Sequence, residues 1–120
     1  MPPVDTSSAT APTRHFVFLL LNKFSLIAFT SAIEPLRLAN RFHGDPLYSW
    51  TLVSETGETA TCSSGVEVNV DTTLGELSRN DVIFVCGGVH IKDNTTKPVL
   101  NWLRREARKG RPVGGLCTAS

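Results

Sequence analysis

Asp81-Val-Ile-Phe-Val-Cys-Gly-Gly88 is a short apolar run, rich in β-branched and aromatic side chains, that stops on two glycines. A run this short, with little polar alternation, suits a strand buried on both faces, as in a parallel sheet. Upstream, His15-Phe-Val-Phe-Leu-Leu-Leu21 has the same texture, and Tyr48 to Ser54 reads as a further strand. Between those two, Leu26, Phe29, Ile33 and Leu36 recur at helical spacing, which predicts a helix from near Ser25 to Arg41–Gly44. Arg37 and Arg41 suit the negative end of its dipole, and Gly44 suits a left-handed cap. Pro35 inside the pattern forecasts a kink or a split helix.

From Glu55 to Val70 the texture changes. Gly57 and Ser63-Ser64-Gly65 are turn signals, and Val66, Val68 and Val70 alternate with polar residues, so a hairpin with one wet face is expected beside the main sheet. After Gly88 comes a polar loop and then a helix. Thr95 or Thr96 can cap it, Pro98 sits in its first turn, and Gly110 and Pro112 end it. Val99, Leu100, Leu103 and Ala107 are expected to form its buried face. Pro112 to Leu116 reads as a last strand, expected to be central with parallel neighbours on both sides. The order predicts an α/β fold: a mainly parallel open sheet with flanking helices and a hairpin extension. Residues 1–14 read as a flexible tail. Residues 15–120 read as the N-terminal portion of a larger domain, because the helix expected to cover the last strand is not reached.

Composition narrows the class. The 120 residues are 41% hydrophobic and 19% charged with a formal net charge of +1, which argues against bulk disorder and against a strongly basic nucleic-acid-binding domain. Three cysteines, Cys62, Cys86 and Cys117, form no C-x-x-C pair, so neither a disulfide framework nor a zinc knuckle is expected. Reduced thiols in the cytoplasm are the natural reading. Phe16 to Leu21 is too short for a signal-peptide core or a membrane span. His15, His43 and His90 lack metal-ligand spacing, and no phosphate-loop motif occurs, so no metal or cofactor is expected.

Three places could carry chemistry. Cys117 follows the Gly-rich strand Val113–Leu116, and a nucleophile on a strand-to-helix turn is held clear of the sheet near a helix N-terminus that favours the thiolate. The alternative is a buried structural cysteine. Gly87-Gly88 ends a buried strand where open α/β sheets bind ligands, and its N–H groups could face an oxyanion; the alternative is a tight turn. Glu34 lies in the apolar stretch Ile27 to Leu38. Partly buried, it would have a raised pKa and could donate a hydrogen bond to a thiolate; on an exposed helix face it would do neither. Arg104, Arg105, Arg108, Lys109 and Arg111 crowd a helix C-terminus and read as a solvated face.

Glu34, Asp81-Val-Ile-Phe-Val-Cys-Gly-Gly88 and Gly114-Gly-Leu-Cys-Thr-Ala-Ser120 together resemble the PfpI/ThiJ branch of the class I glutamine amidotransferase-like, flavodoxin-like fold. Within it, His15-Phe-Val-Phe-Leu-Leu-Leu-Asn-Lys-Phe-Ser-Leu and Ser31-Ala-Ile-Glu-Pro-Leu-Arg-Leu-Ala-Asn40 are similar to the sensor domain of GlxA-type AraC-family transcriptional regulators. The resemblance implies that Cys117 is the elbow residue and Glu34 its partner, with Gly87, Gly88 and Thr118 lining the oxyanion pocket. It also implies a small amine-containing effector, a homodimer, and DNA binding through a C-terminal helix-turn-helix pair outside this chain. Enzymatic relatives such as isocyanide hydratases carry Asp-Leu-x-Gly-Pro before the glutamate, whereas this chain has Ala28-Phe-Thr-Ser-Ala32. Ala28 in place of the aspartate argues against the alternative, a cysteine-dependent hydrolase or hydratase.

Overall fold

A computed structural model describes residues 14–78 and 80–116. Four parallel strands form the main sheet, in the spatial order Tyr48–Val53, Arg14–Leu20, Asp81–Cys86 and Val113–Leu116. These are β1 (Arg14–Leu20), β2 (Tyr48–Val53), β5 (Asp81–Cys86) and β6 (Val113–Leu116). The short strands β3 (Thr59–Thr61) and β4 (Glu67–Asn69) pair antiparallel as a separate sheet, with Ala60 opposite Val68. The α/β class, the mainly parallel sheet and the hairpin all agree with the sequence reading.

β1 and β5 occupy the middle because their side chains are apolar on both faces. Val17, Leu19, Leu21, Ile83 and Val85 bury one way, against Val99 and Trp102 of the helix α3 (Lys97–Arg108). Phe18, Leu20 and Cys86 bury the other way, beneath Phe29 of the helix α1 (Leu26–His43) and Ala60 and Cys62 of the hairpin. Phe18 stands edge-on to Phe29 and stacks with Phe84, at centroid distances of 5.5 and 5.8 Å.

α1 begins and ends on the expected residues. The Ser25 hydroxyl accepts a hydrogen bond from the Ala28 N–H, and Gly44, at φ +90°, donates its N–H to the Asn40 carbonyl. The helix runs through Pro35 as one element, so the forecast split does not occur.

Other expectations need correction. β6 is not central: among the described residues it pairs on one side only, with β5. The loop before α3 contains a one-turn helix, α2 (Ile91–Asn94). Thr96 is the N-cap residue of α3, but its hydroxyl donates to Glu55 instead of capping the helix. The buried face of α3 is Val99, Trp102 and Glu106, while Leu100 and Ala107 are exposed. Trp102 prevails because its large ring fills the core and its indole N–H finds the Gly75 carbonyl at 2.9 Å. Nor is Arg111 solvated. Its guanidinium is 6% exposed and donates to Glu106 and to the Ser78 and Asp81 carbonyls.

Candidate functional site

Chemistry in a parallel sheet concentrates at the carboxyl ends of the strands, where loops replace the hydrogen-bonded ladder. Here β1 runs out into Leu21–Ser25 and β5 into Gly87-Gly88. The two segments are laced together: the Leu21 N–H donates to the Cys86 carbonyl at 3.1 Å, and the Ser25 N–H to the Gly87 carbonyl at 2.8 Å. A Cβ at position 88 would lie 2.3 Å from the Lys23 carbonyl oxygen and 2.9 Å from the Ser25 nitrogen. Only glycine permits that approach. The Gly87 N–H is engaged by the Leu116 carbonyl at 3.3 Å, so it is not the unencumbered donor expected of an oxyanion pocket.

Glu34 differs from the expected partly buried acid. Its side chain is 49% exposed, and one carboxylate oxygen accepts from Arg37 Nε at 3.0 Å and Nη2 at 2.6 Å. The Arg37 hydrogen bonds hold this carboxyl below its ordinary range, the reverse of the expected rise. An ionised Glu34 has no proton to donate. Cys117 and Thr118 lie outside the described residues.

The other two thiols are packed. Burial pushes Cys86 up to about 12, which makes it inert as a nucleophile. Cys62 is also buried, with its sulfur 3.1 Å from the Ser64 hydroxyl, a contact that lowers its pKa. Among the described residues no three His, Cys, Asp or Glu side chains are grouped to hold a metal ion.

An open space does exist at this end of the sheet, beside β1 and β2. A cleft of about 360 Å³ lies between the segment after β2, strand β3 and the start of α3. Its polar lining includes Asn22, Ser54, Glu55, Asn94 and Thr96, and its apolar lining Leu20, Leu21, Ala60 and Val99. Two side-chain bonds tie its walls: Thr96 donates to Glu55 Oε1 at 2.8 Å, and Asn22 Nδ2 to Asn94 Oδ1 at 3.3 Å. The sequence reading missed these residues. Their one available signal was that Ser54-Glu55-Thr56 directly follows the carboxyl end of a strand.

The sequence matches the DJ-1/PfpI family model over residues 14–120. The chain belongs to the DJ-1/PfpI family. Among curated relatives it is 43% identical over 108 residues to the HTH-type transcriptional regulator CdhR of Pseudomonas aeruginosa, covering 90% of this chain and 32% of that protein. It is 34% identical over 115 residues to the HTH-type transcriptional regulator GlxA of Rhizobium meliloti, covering 95% of this chain and 36% of that protein. The chain therefore spans about a third of the length of these relatives. Among solved structures it resembles an AraC family transcriptional regulator from Pseudomonas putida, with TM-score 0.69 and 30% identity over 85% of this chain and 55% of that one. The DJ-1 superfamily protein Atu0886 from Agrobacterium tumefaciens, at 19% identity and TM-score 0.61 over 85% of this chain and 52% of that one, shares the fold. No helix among the described residues is long and apolar enough to cross a membrane.

Proposed function

We propose that this chain is the ligand-sensing, amidase-like portion of a cytoplasmic, dimeric AraC-family regulator that responds to a small amine-containing metabolite. DNA is contacted by a helix-turn-helix region outside these 120 residues. The observation that carries the reading is the 43% identity, over nine-tenths of the chain, to an HTH-type transcriptional regulator. Cys117, Glu34, Gly87, Gly88 and Thr118 keep the positions of an enzymatic elbow and its surroundings without supporting turnover. Ala28 occupies the aspartate position of the hydratases, and Glu34 is an ionised partner of Arg37. A nucleophile without a positioned base or acid is a poor catalyst.

The test is selection of genomic DNA fragments by the intact protein, sequenced with and without a panel of small amines. The reading expects a small set of enriched sites whose recovery changes several-fold with one of the amines. Uniform recovery of all fragments under every condition would refute it.

A further inference from the structure

We infer that the outer face of α3 is a second, sequence-independent DNA contact, in which Lys97, Arg104 and Arg108 hold the phosphate backbone beside the site bound by the helix-turn-helix region. The inference goes beyond the regulator reading above and rests on it for the identity of the polyanion. Charge density comes first. α3 carries Lys97, Arg104, Arg105 and Arg108 within 12 residues, a third of the 12 Lys and Arg in the chain. Its one acid, Glu106, is fully buried and neutralised by Arg111. The formal net charge of +1 therefore conceals a strongly positive helix set among elements that are net negative.

Helix geometry gathers that charge on one side. With 3.6 residues per turn, Lys97, Arg104 and Arg108 fall within about 40° of one another around the axis. All three are exposed, and they stand opposite the buried Val99, Trp102 and Glu106. Arg105 flanks the ridge. Two exposed acids border it: Glu55 shares a groove with Arg105 and Arg108, and Glu76 lies 3.8 Å from Lys109. Like charges three and four residues apart, as in Arg105–Arg108 and Arg104–Arg108, destabilise a helix. The helix dipole offsets Arg105 and Arg108, which lie in the last turn. It does not offset Arg104, and Lys97 stands at the first residue, where the dipole repels it. Local helix stability leaves the ridge unexplained, whereas a polyanion laid along it explains every member.

The chemistry of the face selects among polyanions. A protein partner would need an apolar or aromatic anchor at the centre of the contact. None is present: Trp102, the one aromatic residue of α3, is buried, and Leu100 sits at the margin. Phosphate contacts need no such anchor, and a guanidinium fork fits phosphate oxygens bidentately. The lack of an exposed ring also removes the platform on which unpaired bases stack, which favours a duplex over single strands. A helix of this length spans about 18 Å. Over that distance a duplex presents about ten phosphate charges.

The test measures binding of the intact protein to a duplex recovered in the selection above, and to a mixed-sequence duplex, as salt is raised. Arg104→Gln and Arg108→Gln should each lower the slope of log K against log salt by about 0.9 on both duplexes, and the double variant by about 1.8. The ratio of affinities for the two duplexes should not change, because phosphate contacts carry no sequence information. Arg104→Lys should keep the slope. So should Arg41→Gln, an exposed cation of α1 on the opposite side of the sheet. Circular dichroism should show every variant folded. Unchanged slopes in both Gln variants, an equal fall in Arg41→Gln, or an altered ratio between the duplexes would each overturn the inference. Wild-type DNA binding by the double variant together with weakened transcription would assign the face to an acidic protein, and would overturn it as well. Site selection with unchanged slopes leaves the regulator reading standing without the α3 contact. Salt-dependent binding through Arg104 and Arg108 with no preference between the duplexes does the reverse, and no binding to either duplex refutes both.

Discussion

Arg111 Nε donates to Oε1 of Glu106 at 2.9 Å across the turn that ends α3, and Glu106 is completely buried. Lys109 Nζ reaches the other carboxylate oxygen at 3.3 Å, and Arg105 Nε lies 3.5 Å from it. The same Arg111 guanidinium donates to the Ser78 and Asp81 carbonyls. One charged cluster therefore joins the end of α3 to the entrances of β5 and β6.

Removing its central carboxylate should be costly. Glu106→Gln removes the buried negative charge that Arg111 Nε contacts, and breaking a buried pair in this way typically costs about 3–5 kcal/mol. Urea unfolding of the intact protein should show a lower midpoint with an unchanged slope. A loss below about 1 kcal/mol would mean that water reaches the cluster.

The same group sets an acid limit. Burial alone would raise the Glu106 pKa, but hydrogen bonds from Arg111 and Lys109 outweigh it and the net direction is down. A carboxyl lowered in the folded state contributes stability above its unfolded value, about 4.3, and loses it as pH falls through the folded value. Stability measured from pH 6 downward should therefore fall as pH drops below about 4.3, and Glu106→Gln should flatten that part of the curve. Parallel curves for the two proteins would contradict the assignment.

Gly88→Ala should destabilise strongly. The new Cβ would meet backbone rather than a movable side chain, with the Lys23 carbonyl 2.3 Å away, and overpacking of this kind costs about 1–3 kcal/mol or more. Gly44→Ala serves as the comparison. No atom lies within 4 Å of its added Cβ, so only the left-handed backbone, roughly 1 kcal/mol, is at stake. Thermal unfolding should rank Gly88→Ala as the less stable variant; the opposite order would show that the loop after β1 yields easily.

Cys86 should resist alkylation. With its thiol pushed up to about 12 by burial, iodoacetamide at pH 8 should leave it unlabelled in the native protein and modify it after denaturation. Mass spectrometry of the labelled peptides reads this directly. Native-state labelling of Cys86 at the rate of a free thiol would show that the sheet opens there.

Much of the framework was legible in the sequence, because two runs apolar on both faces can only be central strands of a covered sheet. The caps of α1 were legible for local reasons, since Ser25 and Gly44 act on their own helix. The face of α3 was not. Apolar spacing favours Leu100 and Ala107, whereas Arg111, beyond a turn, neutralises Glu106 and lets it bury. β6 is expected to be central because the buried runs of β1 and β5 must pair somewhere, yet those two pair with each other and, among the described residues, β6 has β5 on one side only. Glu34 was half legible: its helix was evident, but the charge at Arg37 that holds it ionised outweighed the apolar neighbours. The cleft was invisible because Asn22, Glu55 and Asn94 are far apart in the chain and meet only through the topology.

On the function proposed above, the domain senses a small molecule without transforming it. The most direct measurement is transcription from a target promoter in cells carrying the intact protein or its Cys117→Ala variant, each challenged with the activating amine. A sensor predicts that activation survives the loss of the thiol, and that purified protein shows no amidase, protease or isocyanide hydratase turnover above the variant. Loss of activation together with a Cys117-dependent turnover would contradict it and make the domain an enzyme.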